Sequence, residues 1–270
     1  MPTGIEMIAE AFARARANGR SAALMPYLMG GFPDLETSRA IGRAYAEGGA
    51  DLIELGVPFS DPLADGPVIH AAGTTALGAG ATLPAVLEVA ADIAAHVPVV
   101  LMCYANPIVV RGLERFVDAL TAASVSGLIV PDLPLEEAAD VRRICAERGV
   151  AFVPLVAPTT PAARLERIGA DATGFVYTVS LTGTTGERSG IDAGLGDVIA
   201  RARAHTSAPV AIGFGISTPE QAAAAAAAGA DGVIVGTRLV RAAGEAEDPP
   251  AATRELVAAF ATALSGPALG

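Results

Sequence analysis

The chain has 270 residues, 52% of them hydrophobic, and a formal charge of -11 from 18 basic and 29 acidic side chains. That content supports a full core and excludes a disordered chain, and the acidic balance makes nucleic acid and anionic membranes poor partners. All 18 basic residues are arginine, which excludes a Schiff-base lysine, and a pyridoxal-phosphate lysine with it, in this chain.

Residues 1–18 space Ile5, Ile8, Phe12 and Ala15 along one helical face, ended by Asn18-Gly19. A first apolar run, 22–29, closes on Gly30-Gly31, and a helix then runs from an N-cap at Asp34 to Gly48-Gly49. Seven more short apolar runs follow at 51–57, 97–104, 127–130, 151–156, 174–179, 209–214 and 232–235. Helical stretches lie between them, among others at 83–95, 113–123, 135–148, 162–168, 194–204 and 219–228. A helix stop recurs before several strands, as Gly-Ala-Asp at 49–51, 169–171 and 229–231 and as Gly149-Val150. Apolar runs with little alternation suit parallel strands covered on both faces. Eight such units predict one domain over residues 1–270, a (β/α)8 TIM barrel with an extra N-terminal helix. No GxGxxG follows the first strand, which disfavours a doubly wound open sheet.

Cys103 and Cys145 lack CxxC spacing and read as reduced thiols packed in the core. His70 has no His or Cys partner at ligand spacing, and His96 and His205 fall near helix ends, so no metal site is expected. Glu6 and Glu10 interrupt the first segment, which does not read as a signal peptide. The longest uncharged run, 66–87, is broken by Gly, Pro, Thr and His. A cytoplasmic protein without a membrane span is the expectation.

A barrel of this kind works at the C-terminal ends of its strands. The stretch 52–69, LIELGVPFSDPLADGPVI, places Glu54 inside the second strand and Asp61 and Asp65 in the loop after it. Desolvation in the strand would raise the Glu54 pKa towards neutrality, whereas Asp65, in a loop, would be better solvated and remain ionised. Two carboxyls in such different environments suit an acid/base pair. Asp61, before Pro62, reads as a turn former. The glycine-rich strand ends, GFGIS at 213–217 and VGT at 235–237, let backbone N–H groups face a phosphate, helped by a short helix starting near Thr237. The loop after the sixth strand, SLTGTTGERSG, has the composition of a mobile lid. From residues alone this is a phosphate-binding barrel moving protons with carboxylates, which leaves isomerases, epimerases and lyases open.

ELGVPFSDPLADGP closely resembles the tryptophan synthase α subunit, and PYLMGGFPD, LMCYANP, LIVPDLPLEE, VYTVSLTGTTG, IGFGIS and VGTRLV follow in that family's order. The resemblance implies cleavage of indole-3-glycerol phosphate to indole and glyceraldehyde 3-phosphate, with no cofactor in this chain. It implies Glu54 as general acid/base, Asp65 as the carboxylate that accepts the indole N–H, and Tyr177 as the tyrosine of the sixth strand in the pocket. Thr185 and Gly186 match the lid, with Gly186, Gly215, Gly236 and Thr237 as phosphate donors. Tyr104, Ile129, Leu155 and Phe214 match apolar positions around the indole. Tyr27 stands where many members have phenylalanine, and Thr237 where serine is common. The implied partner is a pyridoxal-phosphate β subunit in an α2β2 heterotetramer, met through Asp61, Pro62 and Leu63. A stand-alone lyase with the same catalytic pair, and a degenerate barrel kept to activate a partner, are the rival readings.

Overall fold

The computed structural model describes residues 2–179, 195–213 and 215–265. Its first helix, α1 (Gly4–Ala17), starts at a capping box in which Thr3 and Glu6 satisfy each other's backbone donors. Parallel strands follow: β1 (Ala23–Met29), β2 (Ile53–Gly56), β3 (Val99–Met102), β4 (Gly127–Ile129), β5 (Ala151–Phe152), β6 (Leu155–Val156), β7 (Val176–Thr178), β8 (Val210–Ile212) and β9 (Gly232–Val235). The sheet order is β5-β4-β3-β2-β1-β9-β8-β7-β6.

The two ends of that ladder, β5 and β6, are halves of the single run 151–156. Val153 donates to Leu128 O (2.9 Å) on one side, and Tyr177 donates to Pro154 O (2.9 Å) on the other. The sheet therefore curls round and meets itself, and the expected eight positions appear as nine strands among the described residues because the fifth is broken. Pro154 is a sufficient cause of the break, since proline has no ladder donor.

Strand alternation sorts the side chains into two layers. Met25, Leu52, Val100, Ile129, Val153, Phe175, Tyr177, Ala211 and Ile234 form one cluster, and Ile8, Ala11, Phe12 and Ala15 of α1 join it. The extra helix thus plugs the barrel floor, with the Phe12 and Phe175 rings 5.9 Å apart. Outward residues such as Leu24, Ile53, Leu55, Leu101 and Val233 pack in the other cluster with the surrounding helices.

The repeated Gly-Ala-Asp phrase has a physical role at the strand starts. Asp51 accepts from Leu24 N (2.8 Å) and Arg20 (2.5 Å), and Asp231 accepts from Val210 N (2.9 Å), Arg16 (3.2 Å) and Arg203 (3.0 Å). These carboxylates tie one strand to the next at the floor, away from the strand ends where chemistry is expected.

The sequence pattern missed several helices. One covers Pro67–Gly78 inside the uncharged run, a second Ala105–Arg111, and a third Pro249–Leu264, which packs on the end of helix Leu35–Glu47. The helix expected over 135–148 covers only Ala139–Glu147. No single helix among the described residues is long and apolar enough to cross a membrane.

If the floor plug carries core energy, Phe12→Ala should cost about 3–5 kcal/mol, read as a lower urea midpoint with the native fold retained.

Candidate functional site

Glu54 sits in β2 in register with Tyr27 of β1 and Val100 of β3. It has the inward parity of Leu52, two residues earlier, and so faces the barrel axis near the strand's C-terminal end. Only 4% of the residue is exposed, and neither carboxyl oxygen has a hydrogen-bond partner among the described residues. Burial, with a smaller contribution from the Asp65 charge, pushes its pKa up to about 8. An ionised carboxylate without partners would be costly there, so the neutral acid is the resting form near pH 7.

Asp65 comes from the loop between β2 and the helix Pro67–Gly78, near enough for its charge to act on this carboxyl. Tyr104, directly after β3, holds it: the phenol donates to Asp65 Oδ1 (3.1 Å) and accepts from Ala64 N (3.0 Å). Phe59 stacks on the Tyr104 ring with centroids 5.3 Å apart, fixing the start of the same loop. Asp65 is better solvated than Glu54, as its loop position suggests. Asp65 is partly buried, and burial raises its pKa too, opposed by the Tyr104 hydrogen bond and the nearby His70. The two carboxyls still diverge, because Asp65 has a donor that favours its charged form and Glu54 has none. Tyr104, expected as an apolar wall, is a polar clamp, and its aromatic residue type alone gave no hint of that.

Two further tyrosines complete the cluster. Tyr177 lies on β7 and Tyr27 on β1, and burial raises both phenols well above their ordinary pKa. The Glu54 charge acts on each, and Asp65 acts on Tyr27 as well, so all four groups share one space. Glycines on the neighbouring strands make room for the rings. A Cβ at Gly56 would lie 2.0 Å from the Tyr27 hydroxyl, and one at Gly213 would lie 2.3 Å from the Tyr177 hydroxyl. Sequence reading assigned neither glycine this role; a glycine two residues past an inward carboxylate was the available signal.

Of the apolar positions, Ile129 is fully buried in the barrel interior, and Leu155 packs partly exposed at its edge. Leu155 also walls a cavity of ≈ 330 Å³ with Pro131, Leu133, Pro154 and Ile168, beside the broken fifth strand. At the glycine-rich ends, Gly215 has φ +46°, a left-handed backbone that glycine accepts readily. Gly236 caps the helix Thr237–Glu245 without a side-chain hydrogen bond, leaving first-turn N–H groups available, and Thr237 is buried beside it. A Cβ at Gly236 would stand 3.7 Å from the Tyr27 Cβ, so this helix start adjoins the tyrosine. Thr185, Gly186 and Phe214, and with them the proposed lid, lie outside the described residues.

On the outer side of the same loop, Asp61 is exposed and accepts from Ser60 Oγ (2.6 Å), Pro62 is partly exposed, and Leu63 is 83% exposed. Val109 and Val110, at the end of the helix that Tyr104 caps, are 75% and 80% exposed. Sequence reading missed this valine pair. Among the described residues, no group of three or more His, Cys, Asp or Glu is placed to hold a metal ion.

A family model described as tryptophan synthase alpha chain matches residues 12–265. The chain belongs to the tryptophan synthase alpha chain family. The tryptophan synthase alpha chain of Synechococcus elongatus is 50% identical over 235 residues, 86% of this chain and 88% of that protein. The Geobacter sulfurreducens protein of the same name is 46% identical, over 87% of this chain and 89% of its own. Among solved structures, a Mycobacterium tuberculosis tryptophan synthase matches with a TM-score of 0.90 at 37% identity, covering 96% of this chain and 98% of that one. A tryptophan synthase complex from Pyrococcus furiosus matches with a TM-score of 0.83 at 36% identity, covering 90% and 98%. Family membership places the chain among the enzymes of tryptophan synthesis and its fold among the TIM barrels of that family.

The raised pKa of Glu54 has a stability consequence. Between the ordinary value of 4.5 and about 8, the unfolded chain releases this proton and the folded chain keeps it. Its contribution to stability is complete below the lower value and is lost as pH rises through the upper one. Glu54→Gln, which never ionises, should therefore gain on the native chain as pH rises, melting at least about 2 °C higher near pH 9 and about equally near pH 5. Parallel melting curves at the two pH values would exclude a desolvated acid.

Proposed function

We propose that this chain is the lyase half of a tryptophan synthase, cleaving indole-3-glycerol phosphate to indole and glyceraldehyde 3-phosphate by a retro-aldol reaction. The observation that carries the reading is the buried Glu54 carboxyl, without a hydrogen-bond partner among the described residues and within range of the charge of an Asp65 that Tyr104 clamps. Glu54 donates its proton to C3 of the indole ring, and Asp65, accepting a hydrogen bond from the indole N–H, stabilises the cation that forms. The Glu54 carboxylate then takes the proton from the hydroxyl on the carbon joined to the ring. That oxygen becomes the aldehyde, the carbon–carbon bond breaks, and its electron pair returns to the ring and neutralises the iminium. One proton given and one taken leave Glu54 as it began. A pKa of about 8 suits a group that must do both near neutrality.

The phosphate binds at Gly215, Gly236 and Thr237, with Gly186 from the proposed lid. Backbone donors and the dipole of the helix Thr237–Glu245 can hold a dianion in a chain of net charge -11 without a basic field. Tyr177 and Ile129 wall the indole, with Tyr104 beneath Asp65. These residues fall within the single domain read for the chain, residues 1–270.

The partner reading rests on the exposed apolar rim. Leu63 and the Val109–Val110 pair lie on two segments that Tyr104 ties together, and such a patch is what a protein partner covers. The partner is a β subunit in an α2β2 assembly. It would carry the pyridoxal phosphate, for which this lysine-free chain has no Schiff-base residue.

Indole release from indole-3-glycerol phosphate, with and without a β subunit, tests the reading. Glu54→Gln and Asp65→Asn should each lower turnover at least about a thousandfold while remaining folded, consistent with loss of acid/base and charge-stabilising groups. Near-normal turnover in either would remove the mechanism. Rapid release by the chain alone, unchanged on mixing, would replace the α-subunit reading with a stand-alone lyase.

A further inference from the structure

The Tyr27 hydroxyl, in the pocket, has no strong acceptor among the described residues. Its hydrogen-bond contact there is the Met29 thioether at 3.9 Å, a weak acceptor. The neighbouring tyrosines near the barrel mouth differ: Tyr104 is committed to Asp65 and Ala64, and Tyr45 donates to the Tyr27 carbonyl at 3.2 Å. A phenol buried to 6% exposure without a good partner costs free energy that a phenylalanine would not.

Its position is specific. Glu54 and Gly56 share the inward parity of β2, and the Tyr27 hydroxyl fills the place of a Gly56 Cβ, one layer above Glu54 on the mouth side. The root of the same side chain adjoins Gly236 at the start of the helix Thr237–Glu245. The Asp65 and Glu54 charges both act on the phenol. Tyr27 therefore spans from the phosphate end of the site to the carboxyl pair. A substrate with its phosphate at Gly236 and its ring N–H at Asp65 lays its three-carbon chain along this tyrosine.

We propose that Tyr27 is a substrate-positioning residue whose hydroxyl donates a hydrogen bond to a hydroxyl of the substrate's glycerol chain. The role rests on the lyase reading above and extends it to the recognition of the chain between ring and phosphate. The bond is present in the ground state and in the transition state alike, so it governs binding more than turnover.

Tyr27→Phe, with the native chain as control, is the test, using two ligands in the presence of the β subunit. One is indole-3-glycerol phosphate; the other is an analogue with the same ring, three-carbon chain and phosphate but no chain hydroxyls. The variant should raise KM for the substrate about three- to tenfold, as one neutral hydrogen bond allows, with kcat changed less than about twofold. Affinity for the hydroxyl-free analogue should stay the same, and the melting temperature should not fall. Equal weakening of both ligands would show a wall contact and overturn the proposal, as would unchanged KM. Failure of the native chain to release indole would instead remove the lyase reading itself, and this proposal with it.

Discussion

A carboxyl group buried inside a barrel with no hydrogen-bond partner among the described residues is the constraint on which this structure turns. The carboxylates at the strand starts are neutralised: Asp51 by Arg20 and Leu24 N, Asp231 by Arg16, Arg203 and Val210 N. Glu54 has none of these, although its neighbours on the strand, Ile53 and Leu55, are wholly buried. The fold holds it there by parity: the strand that must bury Ile53 and Leu55 outward has to turn Glu54 inward. What is lost in solvation is the source of its raised pKa, and the neutral acid that results is the form the proposed reaction starts from.

The remaining site is arranged to keep that acid dry while holding a second carboxyl within range of it. Gly56 and Gly213 remove two side chains so that Tyr27 and Tyr177 can cover the space. Tyr104 fixes Asp65 from the segment just past β3, and its ring packs on Phe59. One short loop thus faces both ways, with Asp65 turned to the pocket and Leu63 to the surface. The glycines past the ends of β8 and β9 leave backbone uncovered by side chains where the proposed phosphate site lies. Fold energy and site geometry are separated in space: α1 and the paired aspartates secure the floor, and the mouth keeps its unpaired groups.

Much of this was legible in the sequence because parallel strands write themselves as apolar runs. The eight runs were found that way, α1 by its helical spacing and the helix at Thr237 from the barrel pattern, and Glu54 stood out as a charge where none belonged. The helix Pro67–Gly78 was hidden because it has no charged residue and its small side chains contrast little between faces, and periodicity needs a strongly polar face to show. The break at Pro154 was visible only as a proline, with nothing to say that the barrel closes across it. Asp65 is the more solvated of the two carboxyls, as its loop position suggested, but its partner was not legible. Loop residues are usually solvated, but a tertiary hydrogen bond from Tyr104, 39 residues further on, draws this one inward. Contacts of that kind have no local signal.

The central claim is that the Glu54 carboxyl is neutral in the resting protein at pH 7. A carbon-13 NMR titration of the carboxyl, assigned by comparison with Glu54→Gln, reads this directly in the folded chain. A midpoint near 8, with the protonated chemical shift persisting at pH 7, is the predicted result. A midpoint near the ordinary value of 4.5, with an ionised carboxylate throughout the neutral range, would contradict it.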